Sequence, residues 1–299
     1  MTPENPENET RDGVIAGLIA YTLWGVLPVY FKAVADVAPL EILLHRIIWA
    51  VPFGALIIFL RRQWPEVRRA LTHRSMLMWL STAAFFVAIN WYIYILAVQQ
   101  GQVFQASLGY YINPLFYVVA GVLFFGEKLR IGQITAVILA AVGVLVLTTS
   151  AGQFPLLSIA IGLSFTVYGV IRKRVVIGGM PGLFVETLIL LPIALIWFGW
   201  LFGSGTVAFG ADSTTTYLLI LAGPVTVIPL LCFALAARRL PLSTIGFMQF
   251  LAPSIQFGMA LYYGEELTTA HLICFGCIWA AVIFFSVDAW RQRTLMAAE

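Results

Sequence analysis

The sequence predicts an all-α integral membrane protein: ten transmembrane helices in two inverted five-helix repeats, with both termini in the cytoplasm. Three observations carry this prediction, namely the composition, ten long apolar runs and the recurrence of the same landmarks in both halves. Hydrophobic residues make up 61% of the 299 residues and charged residues 10%, against roughly 45–50% and about 25% in soluble domains. A soluble core cannot hide so much apolar surface, because too few polar residues remain to cover it.

The first half contains five apolar runs. About 20 apolar residues cross the ~30 Å hydrocarbon core as a helix, and unbroken runs exclude a β-barrel, whose strands alternate over ~10 residues. Residues 1–12 are predicted to form a disordered cytoplasmic tail, too acidic for a signal peptide. The runs span 13–32, 39–60, 75–98, 102–125 and 131–149. The first follows the tail, and the second begins at Pro39. The third follows the arginine-rich segment 61–74, the fourth follows Gly101, and the fifth follows the GEKLR segment.

The second half contains five more runs, again bounded by charges, Gly/Pro clusters or polar segments. They span 154–171, 181–203, 216–237, 240–262 and 270–289. The sequence thus divides into a first repeat at 13–150, a second at 151–290 and a short cytoplasmic tail at 291–299.

Four landmarks occur once in each half and in the same order. Their offsets are 138 to 144 residues, about half the chain, so the chain is a duplicated half and not a solenoid of short repeats. The pairs are Asn113-Pro114 with Ala252-Pro253, Gly126-Glu127 with Gly264-Glu265, Tyr21-Thr-Leu-Trp-Gly25 with Phe165-Thr-Val-Tyr-Gly169, and Asn90–Val98 with Pro229–Ala237.

The lysines and arginines set the orientation. With the N-terminus inside, 15 of the 17 fall in cytoplasmic segments; Lys32 lies outside and Arg46 lies within a helix. The positive-inside rule therefore predicts both termini in the cytoplasm. With five helices per half, the second repeat enters from the opposite side, an architecture typical of secondary transporters whose substrate site lies near the midplane.

Four motifs resemble the RarD-like subgroup of the EamA family, within the drug/metabolite transporter superfamily. They are Glu41-Ile-Leu-Leu-His45-Arg46, Ala106-Ser-Leu-Gly-Tyr-Tyr-Ile-Asn-Pro114, Tyr168-Gly-Val-Ile-Arg-Lys173 and Pro229-Leu-Leu-Cys-Phe233. The resemblance implies a bacterial inner-membrane transporter that exports small organic solutes. It also implies a central cavity lined mainly by helices 1, 3, 4, 6, 8 and 9.

A polar stripe on helix 4 is the candidate substrate-binding surface. Tyr110, Asn113 and Tyr117 share one helical face, and aligning the two repeats places Gln249 and Gln256 on the corresponding face of helix 9. The remaining predicted wall consists of Trp24, Asn90, Tyr94 and Tyr168. Such a cavity suits amphipathic, often aromatic, metabolites. The alternative is an interhelical hydrogen-bond seam, which is common in membrane helices.

Helices 2 and 7 carry ionisable residues well inside their predicted spans, where charge is costly. Glu41, His45 and Arg46 belong to helix 2, and Glu186 belongs to helix 7. Arg46 and Glu186 differ in depth by about 12 Å at 1.5 Å per residue, so each is expected to have another partner. The alternatives are an internal polar clasp and a substrate-carboxylate or proton site.

Glu127 and Glu265 follow helices 4 and 9 and are predicted to cap the start of the next helix; the alternative role is a gate.

No metal-ligand spacing, phosphate loop or nucleophile motif is found, so no catalytic residue, metal or cofactor is predicted. Basic residues are explained by topology, so nucleic acid is not an expected partner. The expected partners are a small-molecule substrate and membrane lipid, with a proton or another coupling ion left open, in a monomer or weak dimer. The alternative functions are a channel-like or non-transporting membrane protein, or an intramembrane enzyme.

Overall fold

The structure, a computed structural model, describes residues 6–125, 131–151, 154–240, 244–245 and 248–296. Apart from one isolated bridge between Phe209 and Asp212, its regular structure is helical throughout these ranges. The helices are α1 (Pro6–Gly25), α2 (Leu27–Ala33), α3 (Pro39–Leu60), α4 (Trp64–Thr72), α5 (Arg74–Gln99), α6 (Val103–Phe125), α7 (Ile131–Ala151), α8 (Leu156–Lys173), α9 (Gly179–Gly203), α10 (Ser213–Arg239), α11 (Leu251–Tyr262) and α12 (Thr269–Met296).

Within the described ranges, six helical segments are long and apolar enough to cross a membrane. They are Glu9–Ala33, Pro39–Leu60, Arg74–Gln99, Leu156–Lys173, Gly179–Gly203 and Ser213–Ala237. Two shorter apolar helical stretches, Ile134–Ser150 and Thr269–Phe284, accompany them. The all-helical membrane class is therefore confirmed, while the count of ten spans, the repeat and the orientation stay predictions.

The N-terminal segment differs from the predicted disordered tail, because α1 already begins at Pro6. A proline fits the first helical turn, where its missing N–H would have no intrahelical partner. Acidic residues near a helix start, such as Glu9, are also favourable. Residues 6–12 are consequently helical.

The first predicted span is interrupted at Val26, between α1 and α2. Pro28 lies in the first turn of α2, where its ring cannot supply the N–H that would continue the α1 ladder. Gly25, which ends α1, packs so closely on α11 that an added Cβ would lie 2.7 Å from the side chain of Ile255. The break therefore lies where the chain contacts the second half.

Helix α4 is a short amphipathic element between two spans, in a segment that the sequence analysis treats only as an arginine-rich connection. Val67 and Ala70 are buried. Glu66 accepts a hydrogen bond from Gly178 N at 3.0 Å, and Arg69 donates to Val176 O at 2.9 Å. The helix thereby fastens the connection between α8 and α9.

The helices pack in a pattern that pairs the two halves. Helix α1 packs on α10 and α11, and α8 packs on α5 and α6. Helix α3 packs on α9 and α10, while α7 and α12 pack on each other. The contact of α6 with α8 is especially close: a Cβ added at Gly162 would lie 2.9 Å from Gly109 O. Small residues at such contacts let membrane helices approach each other.

Helix α10 begins at a capped turn that closes the connection from α9. Asp212 is the N-cap, and its Oδ1 accepts a hydrogen bond from Thr215 N at 2.8 Å. The hydrogen bonds from Thr215 lower the pKa of the Asp212 carboxyl, because they favour its charged form.

Candidate functional site

Arg46 lies in a cage of aromatic rings two turns into α3. Its guanidinium carbon lies 4.4 Å from the ring centroid of Trp91 and 5.4 Å from that of Phe31. Its Nε donates to Thr226 Oγ1 on α10 at 3.1 Å, and the residue is 5% exposed. Cation–π contact is strongest where water is excluded, as it is at this position.

The aromatic cage continues through two tyrosines. Tyr94 packs between Phe31 and Tyr110, with ring centroids 5.8 and 5.7 Å away. The Tyr110 hydroxyl donates to Asn90 Oδ1 at 3.2 Å. The buried Tyr94 hydroxyl has no hydrogen-bond partner among the described residues. A phenol in this position is available to a bound group.

The positive charge of Arg46 has no described carboxylate beside it. Within the described residues, no acidic oxygen lies within 4.0 Å of a guanidinium nitrogen of Arg46. Only its Nε donates a hydrogen bond to a described residue, so Nη1 and Nη2 have none. A guanidinium offers five donors and pairs best with a carboxylate through two of them at once. The site therefore has the donors and the charge to bind an anion.

Glu41 and His45, on the same helix, belong to a different set of contacts. The Glu41 carboxylate accepts from Ala208 N at 2.9 and 3.0 Å and from Phe209 N at 2.9 Å. His45 Nδ1 accepts from Trp49 Nε1 at 3.1 Å, and its ring stacks on Phe209 with centroids 4.7 Å apart. These two residues join α3 to the α9–α10 connection, while the choice between a polar clasp and a substrate or proton site stays a prediction.

Glu186, on α9, pairs with a residue of α8. Its Oε1 lies 3.4 Å from Arg172 Nε, and its Oε2 accepts from the Tyr168 hydroxyl at 3.2 Å. The carboxylate is fully buried, whereas the Arg172 side chain is 16% exposed. Arg46 and Glu186 thus have separate partners, as their predicted depths require.

Asn90, Asn113 and Tyr117 all turn toward α8. The Asn90 amide donates to Ile161 O at 2.9 Å and to Ser164 Oγ at 3.1 Å. Asn113 Oδ1 accepts from Thr166 Oγ1 at 2.7 Å, and the Tyr117 hydroxyl donates to the backbone of α8 at 3.4 Å. In this conformation these side chains form a hydrogen-bonded seam with α8, while the assignment of the stripe as a substrate-binding face stays a prediction.

Gln256, on α11, contacts α1. Gln256 Nε2 donates to Trp24 O at 3.1 Å, while the buried Gln256 Oε1 has no partner among the described residues. The Trp24 ring packs on Phe233 with centroids 5.8 Å apart. Gln249 is half-buried and its backbone continues a helical turn from Ile245. Gln256 is therefore held against α1, much as Asn113 is held against α8.

Glu265 is a helix cap, but not of the helix that follows it. Its carboxylate accepts from Val103 N at 2.5 Å and Phe104 N at 2.8 Å, at the start of α6. Burial raises the pKa of Glu265, although these N–H groups and Lys32 act in the opposite direction. The expected cap at the start of the next helix is thus corrected: the chain order of the loops does not reveal which helix end lies nearby. Glu127 lies outside the described residues.

An apolar cavity of about 200 Å³ lies between the α1–α2 break and α10. Its lining is aliphatic apart from one tyrosine: Leu23, Val26, Leu27, Tyr30, Leu221, Pro224, Val225, Ile228 and Pro229. The predicted site residues are not part of this lining. No group of three or more metal-ligating side chains occurs in the part of the chain that the structure describes.

Several residues of the site escaped the sequence analysis. Phe31, Trp91 and Thr226 surround Arg46 but look like ordinary apolar or small polar residues of a span. Arg172 was counted only as a cytoplasmic charge, although it pairs with Glu186. The sequence does contain a signal for this pair. Arg172 lies in the last turn of α8, and the helix that carries Glu186 follows closely in the chain.

Comparison with known proteins reveals full-length relatives. The model of the EamA-like transporter family matches residues 11–149. An "uncharacterized transporter" of Vibrio cholerae is 43% identical, over 97% of this chain and 96% of its own. Protein RarD of Salmonella typhi is 41% identical, over 95% of this chain and 98% of its own. The "chloramphenicol-sensitive protein RarD" of Pseudomonas aeruginosa is 30% identical over 93% and 95%.

A solved crystal structure shares the fold. It has a TM-score of 0.59 at 16% identity and covers 91% of this chain and 96% of its own. The helices, the intramembrane polar groups and these relatives define a multi-pass membrane transporter of the drug/metabolite transporter superfamily. The chain belongs to the EamA-like transporter family and is RarD-like. The family and the names of the relatives point to a transporter and away from an enzyme.

Proposed function

We propose that the protein is a secondary transporter that exports small amphipathic metabolites bearing a carboxylate, amino-acid-like and aromatic or drug-like, across the bacterial inner membrane. The observation that carries the proposal is Arg46, a buried guanidinium with no described carboxylate within 4.0 Å. A buried charge left unpaired costs several kcal/mol, and in a membrane span such a charge commonly marks a substrate pathway. A substrate carboxylate bound to Nη1 and Nη2 would offset that cost.

The surroundings of Arg46 favour an aromatic or otherwise flat apolar body on the substrate. Trp91 and Phe31 present ring faces, and the Tyr94 hydroxyl is a polar group without a described partner. A pocket that combines apolar walls with a few placed polar groups is typical of small-molecule sites. A sugar phosphate or a metal ion would fit such walls poorly.

The packing supports two inverted repeats, at 13–150 and 151–290, that work by alternating access. Helix α1 packs on α10 and α11, and its counterpart α8 packs on α5 and α6. These are the same pairings with the halves exchanged, as a pseudo-two-fold axis in the membrane plane requires. Rocking of one half against the other would then expose Arg46 to each side in turn.

Counterflow in proteoliposomes tests this function. We expect unlabelled aromatic amino-acid-like carboxylates inside the vesicle to accelerate uptake of the same labelled solutes about tenfold or more. Carboxamide analogues should fail to do so, because a neutral amide does not neutralise Arg46; losing a charged pair costs about 2–5 kcal/mol. A conductance without counterflow would favour the channel alternative, and chemical conversion of the solute would favour an intramembrane enzyme.

Reporter fusions test the proposed orientation, with both termini cytoplasmic. Fusions after Arg69, Arg174 and Arg293 should report the cytoplasm, and fusions near Gln100 and Ser204 the outside, because lysines and arginines stay inside. Stable fusions are compared by a pair of reporters, one active on each side of the membrane. A single stable fusion on the wrong side would contradict the inverted-repeat arrangement.

A further inference from the structure

The contact between α8 and α9 contains a buried acid whose partner is held loosely. Glu186 is fully buried, and its closest basic atom is Arg172 Nε at 3.4 Å. Glu186 Oε1 and Arg172 Nη1 are both buried, and neither makes a hydrogen bond to a described residue. The Tyr168 hydroxyl donates to the other carboxylate oxygen at 3.2 Å. Among the described residues, Glu186 Oε1 therefore has no hydrogen-bond donor, and only the charge of Arg172 stabilises it.

One turn before Glu186, Gly182 leaves space on α9 for the Arg172 guanidinium, and this space at Gly182 is called the slot. A Cβ added at Gly182 would lie 2.1 Å from Arg172 Nη1 and 2.4 Å from Nη2. The guanidinium consequently rests directly on the backbone of α9, where only glycine leaves room. Arg172 Nη2 donates a hydrogen bond to Gly178 O, at 3.5 Å. The slot lets the guanidinium reach the carboxylate without fixing it there by a bidentate pair.

Few other charges contribute at this position. Tyr168 touches the carboxylate from α8, and the Tyr117 hydroxyl of α6 lies against α8 at Gly169, one residue beyond Tyr168. The helices packed on α9 are α3, α4, α5 and α10. On these helices, Arg46 bonds Thr226, His45 bonds Trp49, and Glu66 bonds Gly178 N. No other acidic or basic side chain among the described residues of these helices neutralises Glu186.

We propose that Glu186 is the coupling site of the transporter and that its ligand is a proton, which competes with Arg172 for the carboxylate. This inference rests on the proposed transport function and names what drives it. A buried carboxylate needs either a cation or a proton, because the bare charge is too costly in an apolar medium. When α8 and α9 shift during alternating access, Arg172 leaves its slot and Glu186 Oε1 takes a proton from the water on the open side. On return, the carboxylate releases that proton to the other side and pairs with Arg172 again, so one proton crosses per cycle.

Transport driven by a pH gradient tests the proposal. In proteoliposomes, a pH gradient should accelerate net movement of the solute by the unmodified protein, and a protonophore should abolish the acceleration. Glu186→Gln is a permanently neutral mimic of the protonated acid. It should reduce gradient-driven transport at least tenfold while counterflow stays within about threefold, because exchange does not require the proton to leave. The matched control is Glu66→Gln, which removes a carboxylate whose hydrogen bond within the described part of the chain is to Gly178 N; it should keep the gradient response.

Infrared difference spectroscopy of the purified protein tests proton uptake without any substrate. Between about pH 5 and about pH 9, a protonated-carboxyl band should titrate in the unmodified protein and in Glu66→Gln, and be missing in Glu186→Gln. Gly182→Ala displaces the flexible end of Arg172 without changing a titratable group, so the band should titrate at higher pH. If Glu186→Gln keeps the band or the full gradient response, the proposal is overturned. If no solute gives counterflow, the transport function fails, and the band still decides whether Glu186 exchanges a proton.

Discussion

Replacing Arg46 by leucine should lower counterflow of a carboxylate-bearing solute about 100-fold or more. Removing one member of a buried, hydrogen-bonded charge pair costs about 2–5 kcal/mol, and each 1.4 kcal/mol is about tenfold in binding. Leucine fits between Trp91 and Phe31, which contact the guanidinium now, so the fold should survive. Replacing a buried charge by a hydrophobic residue is often neutral or stabilising.

Two further variants separate charge from geometry. Arg46→Lys keeps the charge but loses the planar fork that binds both carboxylate oxygens, so about a tenfold loss is expected. Thr226→Val removes only the partner of Nε, which donates at 3.1 Å, and should cost less than either change at Arg46. Monodispersity in detergent controls for folding. If a well-folded Arg46→Leu variant transports normally, the anion-site interpretation is wrong.

Much of the fold could be predicted from the sequence, because membrane spans need long apolar runs. The starts of α3 at Pro39 and of α9 near Pro181 agree with the predicted runs to within two residues. The short helix α4 could not be found in this way, because its helical pattern comes from two buried residues on a polar surface. The interruption at Val26 was missed as well, because the run 13–32 was read as one continuous span although Pro28 lies within it.

The position of each site residue along its own helix could be predicted from the sequence, but its partners on other helices could not. Counting residues from the helix ends predicted separate partners for Arg46 and Glu186, because depth follows sequence position within a straight helix, and the two residues do contact different partners. The partner of Arg46 is Thr226, 180 positions away, and that pairing depends on how α3 and α10 pack. Helical periodicity likewise grouped Asn113 with Tyr117 on one face. It did not reveal that α8 covers that face and bonds Asn113 through Thr166.

Substituting Gly162 by leucine should produce the largest loss of stability, because this glycine lies where α6 and α8 nearly touch. An added Cβ would lie 2.9 Å from Gly109 O and 2.7 Å from Phe116 Cε2. A backbone carbonyl cannot rotate away as a side-chain end can, so the helices must separate. Overpacking of this kind costs about 1–3 kcal/mol. Separation would also stretch the 2.7 Å bond between Thr166 and Asn113, and each buried polar group left unpaired adds about 1–3 kcal/mol.

The expected result for Gly162→Leu is a thermal unfolding midpoint in detergent lowered by about 5 °C or more, with a smaller monodisperse fraction. The matched control is Gly199→Leu on α9, where nothing lies within 4 Å of an added Cβ. Leucine there should leave the midpoint unchanged, because the side chain extends into open space on an apolar helix. Gly162→Ala should give an intermediate loss, since its one methyl group meets the same carbonyl. A midpoint for Gly162→Leu within about 2 °C of the unmodified protein would mean that α6 and α8 do not pack this closely, and the hydrogen-bonded seam between them would have to be abandoned.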